Sequence, residues 1–276
     1  MIRKRSITAA AAAAAAPLLA LALAVPASAS TGPTVFASCA TNDGGACAGY
    51  VASGARFRFV TNTAFLRNPA QYSAITNGIG WQDGLKSLTA GSTWDAIIGI
   101  SDTTTSGTIY SPQSLVYHNG SIVAVAPNAV FCPAGGTCQP ASSGGGFNPG
   151  DTVTETVFYD QSTGTVNFQA SDPAGNLYRA FDPVGTGITF GQARIEAGFG
   201  TFSPPAANTK LVAISKAGVT LYNGKKHSLS SFFITSPEKA TSTGTGAGTL
   251  QAFPTALNST GTSFSVFFQH VSALHG

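Results

Sequence analysis

The sequence predicts an all-β fold, an antiparallel β-sandwich of the concanavalin or jelly-roll kind, from three observations. β-Branched and aromatic runs of a few residues recur along the chain, and most of them alternate apolar with polar residues. The 276 residues include 32 Gly and 15 Pro, which separate these runs, and no longer run has helical spacing. A hydrophobic fraction of 43% is ample for a core. We expect about ten to twelve strands in one sandwich domain.

The predicted strands extend over the chain after residue 30. The clearest are 56–60, 152–159, 165–170, 211–214, 219–222 and 263–268. Segments 102–108 and 135–148 are rich in Gly, Ser and Thr and are predicted as loops, with an extra hairpin at 121–131 between them. We therefore expect residues 30–276 to form a single domain with a loop-rich insertion at about 102–148.

The first 29 residues have the pattern of a secretory signal peptide. Arg3, Lys4 and Arg5 precede an apolar stretch at 9–25, and Ala27-Ser28-Ala29 is a small-residue cleavage site. A membrane anchor is the alternative, but the apolar stretch is at the short limit for a bilayer span. The pattern predicts a secreted, extracellular protein with no membrane contact after signal cleavage.

The charge balance excludes nucleic acid as a partner. The chain has 14 basic and 11 acidic side chains, and three of the basic ones belong to the predicted signal peptide. The remaining chain is formally neutral, without the basic surface that phosphate backbones require. We expect a monomer.

Four cysteines fit an oxidising compartment. Cys39 and Cys47 enclose one short Gly-containing loop, and Cys132 and Cys138 enclose another, so two local disulfides are the economical pairing. The other two pairings stay open. The four histidines do not neighbour the cysteines in the sequence, so the pattern predicts no metal and no cofactor.

Strand phase singles out two polar residues. Alternation places Glu196 on a face with Arg194 and Gln192, and Gln82 on a face of small residues, opposite Trp81. The structural alternative is a solvated strand in which Glu196 pairs with Arg194 and Gln82 ends its strand. Glu155, which shares a face with apolar neighbours, is the competing functional acid and would need a partner or a raised pKa.

The order of several motifs resembles the glutamic peptidases, the eqolisins. Gln82-Asp83-Gly84 stands for their Q-x-G strand, and residues 192–196 stand for the strand that ends in the catalytic Glu. Trp94-Asp95-Ala96 lies where the family has Y-D-A-W, and residues 149–153 match its x-G-D-S-I strand. The N-W-x-G-Y motif appears at 46–50 without its Trp, and Gly49 is retained.

The resemblance implies an endopeptidase that acts in acid on protein or peptide substrates. It assigns catalysis to Glu196, which activates a water, and to Gln82, which donates to the oxyanion. It also implies that Trp94 and Asp95 contact the substrate. A non-catalytic β-sandwich that binds an extracellular polymer or protein is the alternative, and it would show exposed aromatic residues on the concave face with Gln82 and Glu196 apart.

Overall fold

The computed structural model describes residues 46–66, 79–87, 89, 91–102, 109–124, 128–199, 209–235, 238–239 and 249–271. Within these ranges the chain is an antiparallel β-sandwich, which confirms the predicted fold class. The described residues include two single-turn 3-10 helices, Ala141–Ser143 and Leu229–Ser231, and no α-helix. The predicted signal peptide and Cys39 lie outside these ranges, so neither the cleavage site nor the Cys39–Cys47 pairing is described.

Seventeen strands are present in the described part of the chain. They are β1 (Ala46–Phe65), β2 (Ile79–Ser87), β3 (Trp94–Asp102), β4 (Tyr110–His118), β5 (Ser121–Ala124), β6 (Val130–Cys132), β7 (Gln139–Pro140), β8 (Thr152–Asp160), β9 (Thr165–Ser171), β10 (Leu177–Pro183), β11 (Phe190–Phe199), β12 (Thr209–Leu221), β13 (Lys226–His227), β14 (Phe233–Thr235), β15 (Glu238–Lys239), β16 (Thr249–Pro254) and β17 (Phe264–Val271). The number exceeds the predicted ten to twelve because several strands have only two to four residues, too few to show alternation.

The 20-residue strand β1 belongs to both layers of the sandwich. Its first part, residues 46–53, pairs with β11, and its last part, residues 59–65, lies between β8 and β12. The register shifts between Ser53 and Phe57. Gly54, at a φ of 87°, interrupts the extended backbone there. Because of this irregularity, one strand can pass from one layer to the other.

The two layers are defined by their strand order. The front layer consists of β5, β4, β3, β2, β11 and the first part of β1, which also pairs with the short strands β14 and β15. The back layer consists of β6, β10, β9, β8, the last part of β1, β12, β17 and β16. All of these pairings are antiparallel, as expected for strands joined by turns.

The apolar core lies between the layers. Trp81 and Ile195 of the front layer are 2% and 0% exposed and belong to the core, which confirms the predicted phase of their strands. Val157 and Phe168 contribute from the back layer. The other face of the front layer is therefore the one that carries Gln82 and Glu196.

The segment 102–148, predicted as a loop-rich insertion, contains four strands, β4 to β7. β4 continues the front layer by pairing along the whole of β3, and β6 adds to the edge of the back layer beside β10. A disulfide joins Cys132 and Cys138, as the loop spacing predicts. No helix among the described residues is long and apolar enough to cross a membrane.

Candidate functional site

Gln82 and Glu196 lie side by side on neighbouring strands of the front layer. The register of β2 and β11 sets the two residues directly opposite each other. Gln82 Nε2 donates a 2.8 Å hydrogen bond to Glu196 Oε2. Gln82 lies in the middle of β2, whereas the alternative of a solvated strand would have the strand end at Gln82. An amide donor and a carboxylate thus meet at one point.

The two side chains belong to a polar surface, which we call the polar face. It is the side of β2, β3 and β11 that points away from the core, and it carries Gln82, Lys86, Asp95, Gln192, Arg194 and Glu196. Gln82 and Glu196 are each 2% exposed, whereas Lys86, Asp95 and Gln192 are half-buried. The pair therefore forms the deep part of the polar face.

Two glycines flank the pair in a row that crosses four strands. Gly49 of β1 lies opposite Glu196, and Gly99 of β3 lies opposite Gln82. A Cβ at Gly49 would lie 2.1 Å from the Ile195 carbonyl oxygen and 2.6 Å from Glu196 Cα, so only glycine permits this approach of β1 to β11. At Gly49 the space that a side chain would take is therefore filled by the β11 backbone.

Arg194 forms an ion pair with Asp95 across β2. Its Nη2 donates a hydrogen bond to Asp95 Oδ1, and its side chain is 5% exposed against 13% for Asp95. Burial alone would lower the pKa of Arg194, but the charges of Asp95 and then of Glu196 raise it above its usual value. The structural alternative paired Arg194 with Glu196; the hydrogen bonds join Arg194 to Asp95 and Glu196 to Gln82, while Arg194 and Glu196 interact through their charges.

Asp95 and Trp94, the substrate residues implied by the resemblance, lie on opposite faces of β3. Asp95 shares the polar face with Gln82 and Glu196. The Trp94 ring instead stacks on the His118 ring, with centroids 4.2 Å apart, and packs against the core cluster. The structure therefore brings Asp95, but not Trp94, to the face of the candidate pair.

A second polar cluster lies in the core behind the pair. Asn62 Nδ2 donates to Asp83 Oδ1 at 2.6 Å and to Glu155 Oε2 at 3.4 Å, and all three residues are 0% exposed. Burial raises the pKa of Asp83 and of Glu155 well above the usual range, and the charge of Asp83 raises that of Glu155 further. Glu155, the competing acid, therefore faces the core and not the polar face.

The donor set of the polar face suits hydrogen bonding and proton transfer. The Gln82 amide carries two N–H groups, of which one is used toward Glu196. A carboxylate is a base for a water proton, and a neutral amide is a donor for a developing oxyanion. Among the described residues, no group of three or more His, Cys, Asp and Glu side chains is placed to hold a metal ion.

Two solved structures are similar to this chain. One is SCP-B, a member of the Eqolisin family of peptidases, solved in a complex with the tripeptide Ala-Ile-His. The two sequences are 12% identical, the match covers 82% of this chain and 98% of the SCP-B chain, and the TM-score is 0.44. The other is Scytalido-glutamic peptidase with a peptide-based transition-state analogue, 13% identical with the same coverage and a TM-score of 0.42. The likeness is one of fold. No family model and no curated protein matches the sequence.

Sequence reasoning did not find the Arg194–Asp95 pair or the Asp83–Asn62 contact. Alternation offers Arg194 only its nearest same-face acid as a partner, because it says nothing about residues two strands away. For Asp83 a signal was available: it falls on the same face of β2 as Trp81, where a charged residue needs a partner. The identity of that partner, Asn62, depends on the packing of the layers.

Proposed function

We propose that the protein is a secreted, acid-acting endopeptidase of the glutamic peptidase type, with Glu196 as the base and Gln82 as the oxyanion donor. The observation that carries the proposal is the 2.8 Å contact between the two side chains on the polar face, between Gly49 and Gly99. The motif order of the sequence supports the same assignment, because both residues stand at the family's catalytic positions.

The proposed reaction needs no group beyond these two side chains and a water. Ionised Glu196 takes a proton from the water as its oxygen bonds to the scissile carbonyl carbon, and the negative charge develops on the carbonyl oxygen. The Gln82 amide donates a hydrogen bond to that oxygen. The proton on Glu196 then passes to the leaving nitrogen as the C–N bond breaks, which regenerates the carboxylate.

Acidic conditions suit this pair of roles. A carboxyl group in water is half ionised near pH 4, so a glutamate base becomes available within the acid range. The Gln82 donor does not titrate and works at any pH. We therefore expect cleavage to occur within the acid range. The expectation that it is fastest there rests on the resemblance to the glutamic peptidases.

Secretion is the second part of the proposal. Its supports are the signal-like pattern of residues 1–29 and the Cys132–Cys138 disulfide, since such bonds persist in oxidising compartments. The alternative of a non-catalytic binding protein does not require Gln82 and Glu196 to be adjacent. Their adjacency therefore favours the peptidase over a module that binds a polymer or a protein.

The deciding experiment is cleavage of a denatured protein from pH 2 to pH 7 by the secreted protein and by Glu196→Gln. We expect cleavage in acid by the parent and none by the variant, whose side chain keeps its volume but cannot act as a base. Asp160→Asn, an acid-to-amide change at a turn of the back layer, is the matched control and should retain full activity. A parent protein that is inert at every pH would favour the binding alternative.

A further inference from the structure

We propose that the outer face of the back layer carries a binding groove for a polysaccharide with carboxylate groups, in which Phe158 and Phe181 stack on sugar rings and Arg179 pairs with a carboxylate. The groove lies on the opposite side of the sandwich from the polar face, so the inference goes beyond the proposed peptidase and does not depend on it. A site of this kind would hold the protein on an extracellular polymer of uronic acids.

A row of aromatic side chains crosses the outer face of the back layer. The register of four neighbouring strands, β1, β8, β9 and β10, sets Phe59, Phe158, Asn167 and Phe181 side by side. Their neighbours along the strands, such as Phe168, belong to the core, so by alternation the row points away from it. Phe181 is 52% exposed, and Phe59 and Phe158 are half-buried. The sheet therefore presents three aromatic rings in one line.

The row lines a groove of about 560 Å³, a volume typical of ligand sites. The rings of Phe59 and Phe158 lie at one side, with centroids 6.5 Å apart. Phe181 lies two strands beyond Phe158, about 10 Å away by strand spacing. Asn128 Nδ2 donates to the Phe181 carbonyl at 2.6 Å, and its Oδ1 accepts from the Phe181 N–H at 3.0 Å. The far wall of the groove is thus fixed without a ligand.

The polar lining of the groove is neutral apart from one cation. Asn167 and Thr156 lie between the aromatic rings, and Arg179 is the one charged side chain that lines the groove among the described residues. Arg179 is exposed and forms no ion pair with any residue that the structure describes. Asp160, the next acid along β8, accepts hydrogen bonds from Ser162 and does not line the groove. The charge of the groove therefore complements an anionic ligand.

This combination of side chains suits a sugar chain. The C–H face of a sugar ring packs on an aromatic ring, and its hydroxyl groups both donate and accept, as do the Asn167 amide and the Thr156 hydroxyl. The fork of the Arg179 guanidinium matches a carboxylate. An extended peptide would instead gain affinity from an unpaired strand edge, whereas β8 and β9 are paired on both sides. The groove therefore favours a polymer of uronic acids over an acidic peptide.

The test is isothermal titration calorimetry at about pH 6, where carboxylates are ionised. Two probes of different sugar geometry are used, a short oligogalacturonate and a short oligomer of alginate. The fully methyl-esterified form of each keeps the rings and lacks the charge. We expect the parent to bind at least one of the two acids, and to bind it about tenfold more tightly than its ester, because the ester cannot form the charged pair with Arg179.

The variants separate the charge from the stacking. Arg179→Gln should bind the acid and its ester with equal affinity, and Phe181→Ala should weaken binding of both by about tenfold. Both side chains are exposed, so neither change disturbs the core. The controls are Phe65→Ala, an exposed aromatic residue on β1 outside the groove, and Lys225→Gln, an exposed cation at the turn after β12. Both should bind like the parent.

Three results would overturn the proposal. They are failure of the parent to bind either acid, a preference for the acid that survives in Arg179→Gln, and binding of an oligoglutamate of equal charge as tightly as the sugar acids. The last result would assign the groove to acidic polypeptides. Failure of the proposed peptidase is a separate outcome, because a protein that cleaves nothing can still bind the sugar acids through this groove.

Discussion

Gln82 and Asp83 are consecutive residues of β2, and their side chains enter two separate polar clusters on opposite faces of one sheet. Gln82 donates to Glu196 on the polar face, and Asp83 accepts from Asn62 in the core. The core cluster lies directly behind the candidate pair, so the backbone of β2 is held from both sides at this point.

The first prediction concerns the donor. Gln82→Ala removes the amide and should lower kcat by about 10²-fold or more, with a small change in KM, because the hydrogen bond is needed mainly in the transition state. The measurement is steady-state cleavage of a peptide at the acid optimum. Gln169→Ala is the matched control, an exposed amide on β9 of the back layer, and it should retain most of the activity. Equal losses in both variants would show that the effect is not specific to Gln82.

The faces of the front layer could be predicted from the sequence because they depend only on alternation. Trp81 and Ile195 are in the core and their neighbours Gln82 and Glu196 are on the polar face, as predicted. Alternation does not give the register between strands that are distant in sequence, since a shift by one residue changes every pair. The contact between Gln82 and Glu196, which are 114 positions apart in the sequence, therefore follows from the fold.

The partner of Arg194 was beyond prediction for a related reason. Its contact with Asp95 depends on β2 lying between β11 and β3, and on Gly84 having no side chain at the crossing point. The same holds for Gly49, whose importance comes from the close approach of β1 to Ile195. In the sequence both glycines look like the many others that lie in turns or loops.

The second prediction concerns this close approach. Gly49→Ala should destabilise the protein by about 2 kcal/mol or more, because the added methyl group would meet the Ile195 carbonyl and Glu196 Cα, which are backbone atoms and cannot turn aside. Urea unfolding measures the change. Gly218→Ala, where the nearest atom would be 3.4 Å away, is the control and should cost less than about 1 kcal/mol. A Gly49→Ala variant as stable as the parent would contradict the described β1–β11 pairing.

The third prediction concerns the disulfide. Cys132 and Cys138 close a loop of six-residue separation at the edge of the back layer. In the chain-entropy account such a short loop contributes about 2 kcal/mol. Replacing both cysteines by serine should lower the free energy of unfolding by that amount and leave the strands of the front layer, and hence acid cleavage, in place. Peptide mapping without reduction checks the pairing in the parent, and a Cys47–Cys132 peptide would contradict it.

The last prediction is a stability that falls as pH rises. Burial raises the pKa of Asp83 and Glu155 in the folded protein, and it raises the pKa of Asp182 to about 6. Acids of an unfolded chain titrate near pH 4, so above that pH the folded state holds more protons than the unfolded state. The stabilising effect of these acids is complete below about pH 4 and is lost as pH rises through their folded-state values.

The free energy of unfolding should therefore be highest in acid and decline above about pH 4, by about 1.4 kcal/mol for each unit by which a pKa is raised. The melting temperature should fall with it. The double variant Asp83→Asn, Glu155→Gln removes both titrations in the core cluster and should flatten the decline, because neutral amides lose nothing when pH rises. Asp182→Asn alone should reduce the decline in stability only in the range up to about pH 6. Calorimetry from pH 3 to pH 8 measures all three. If the double variant declined as steeply as the parent, the pH dependence would have to arise outside the Asp83–Asn62–Glu155 cluster.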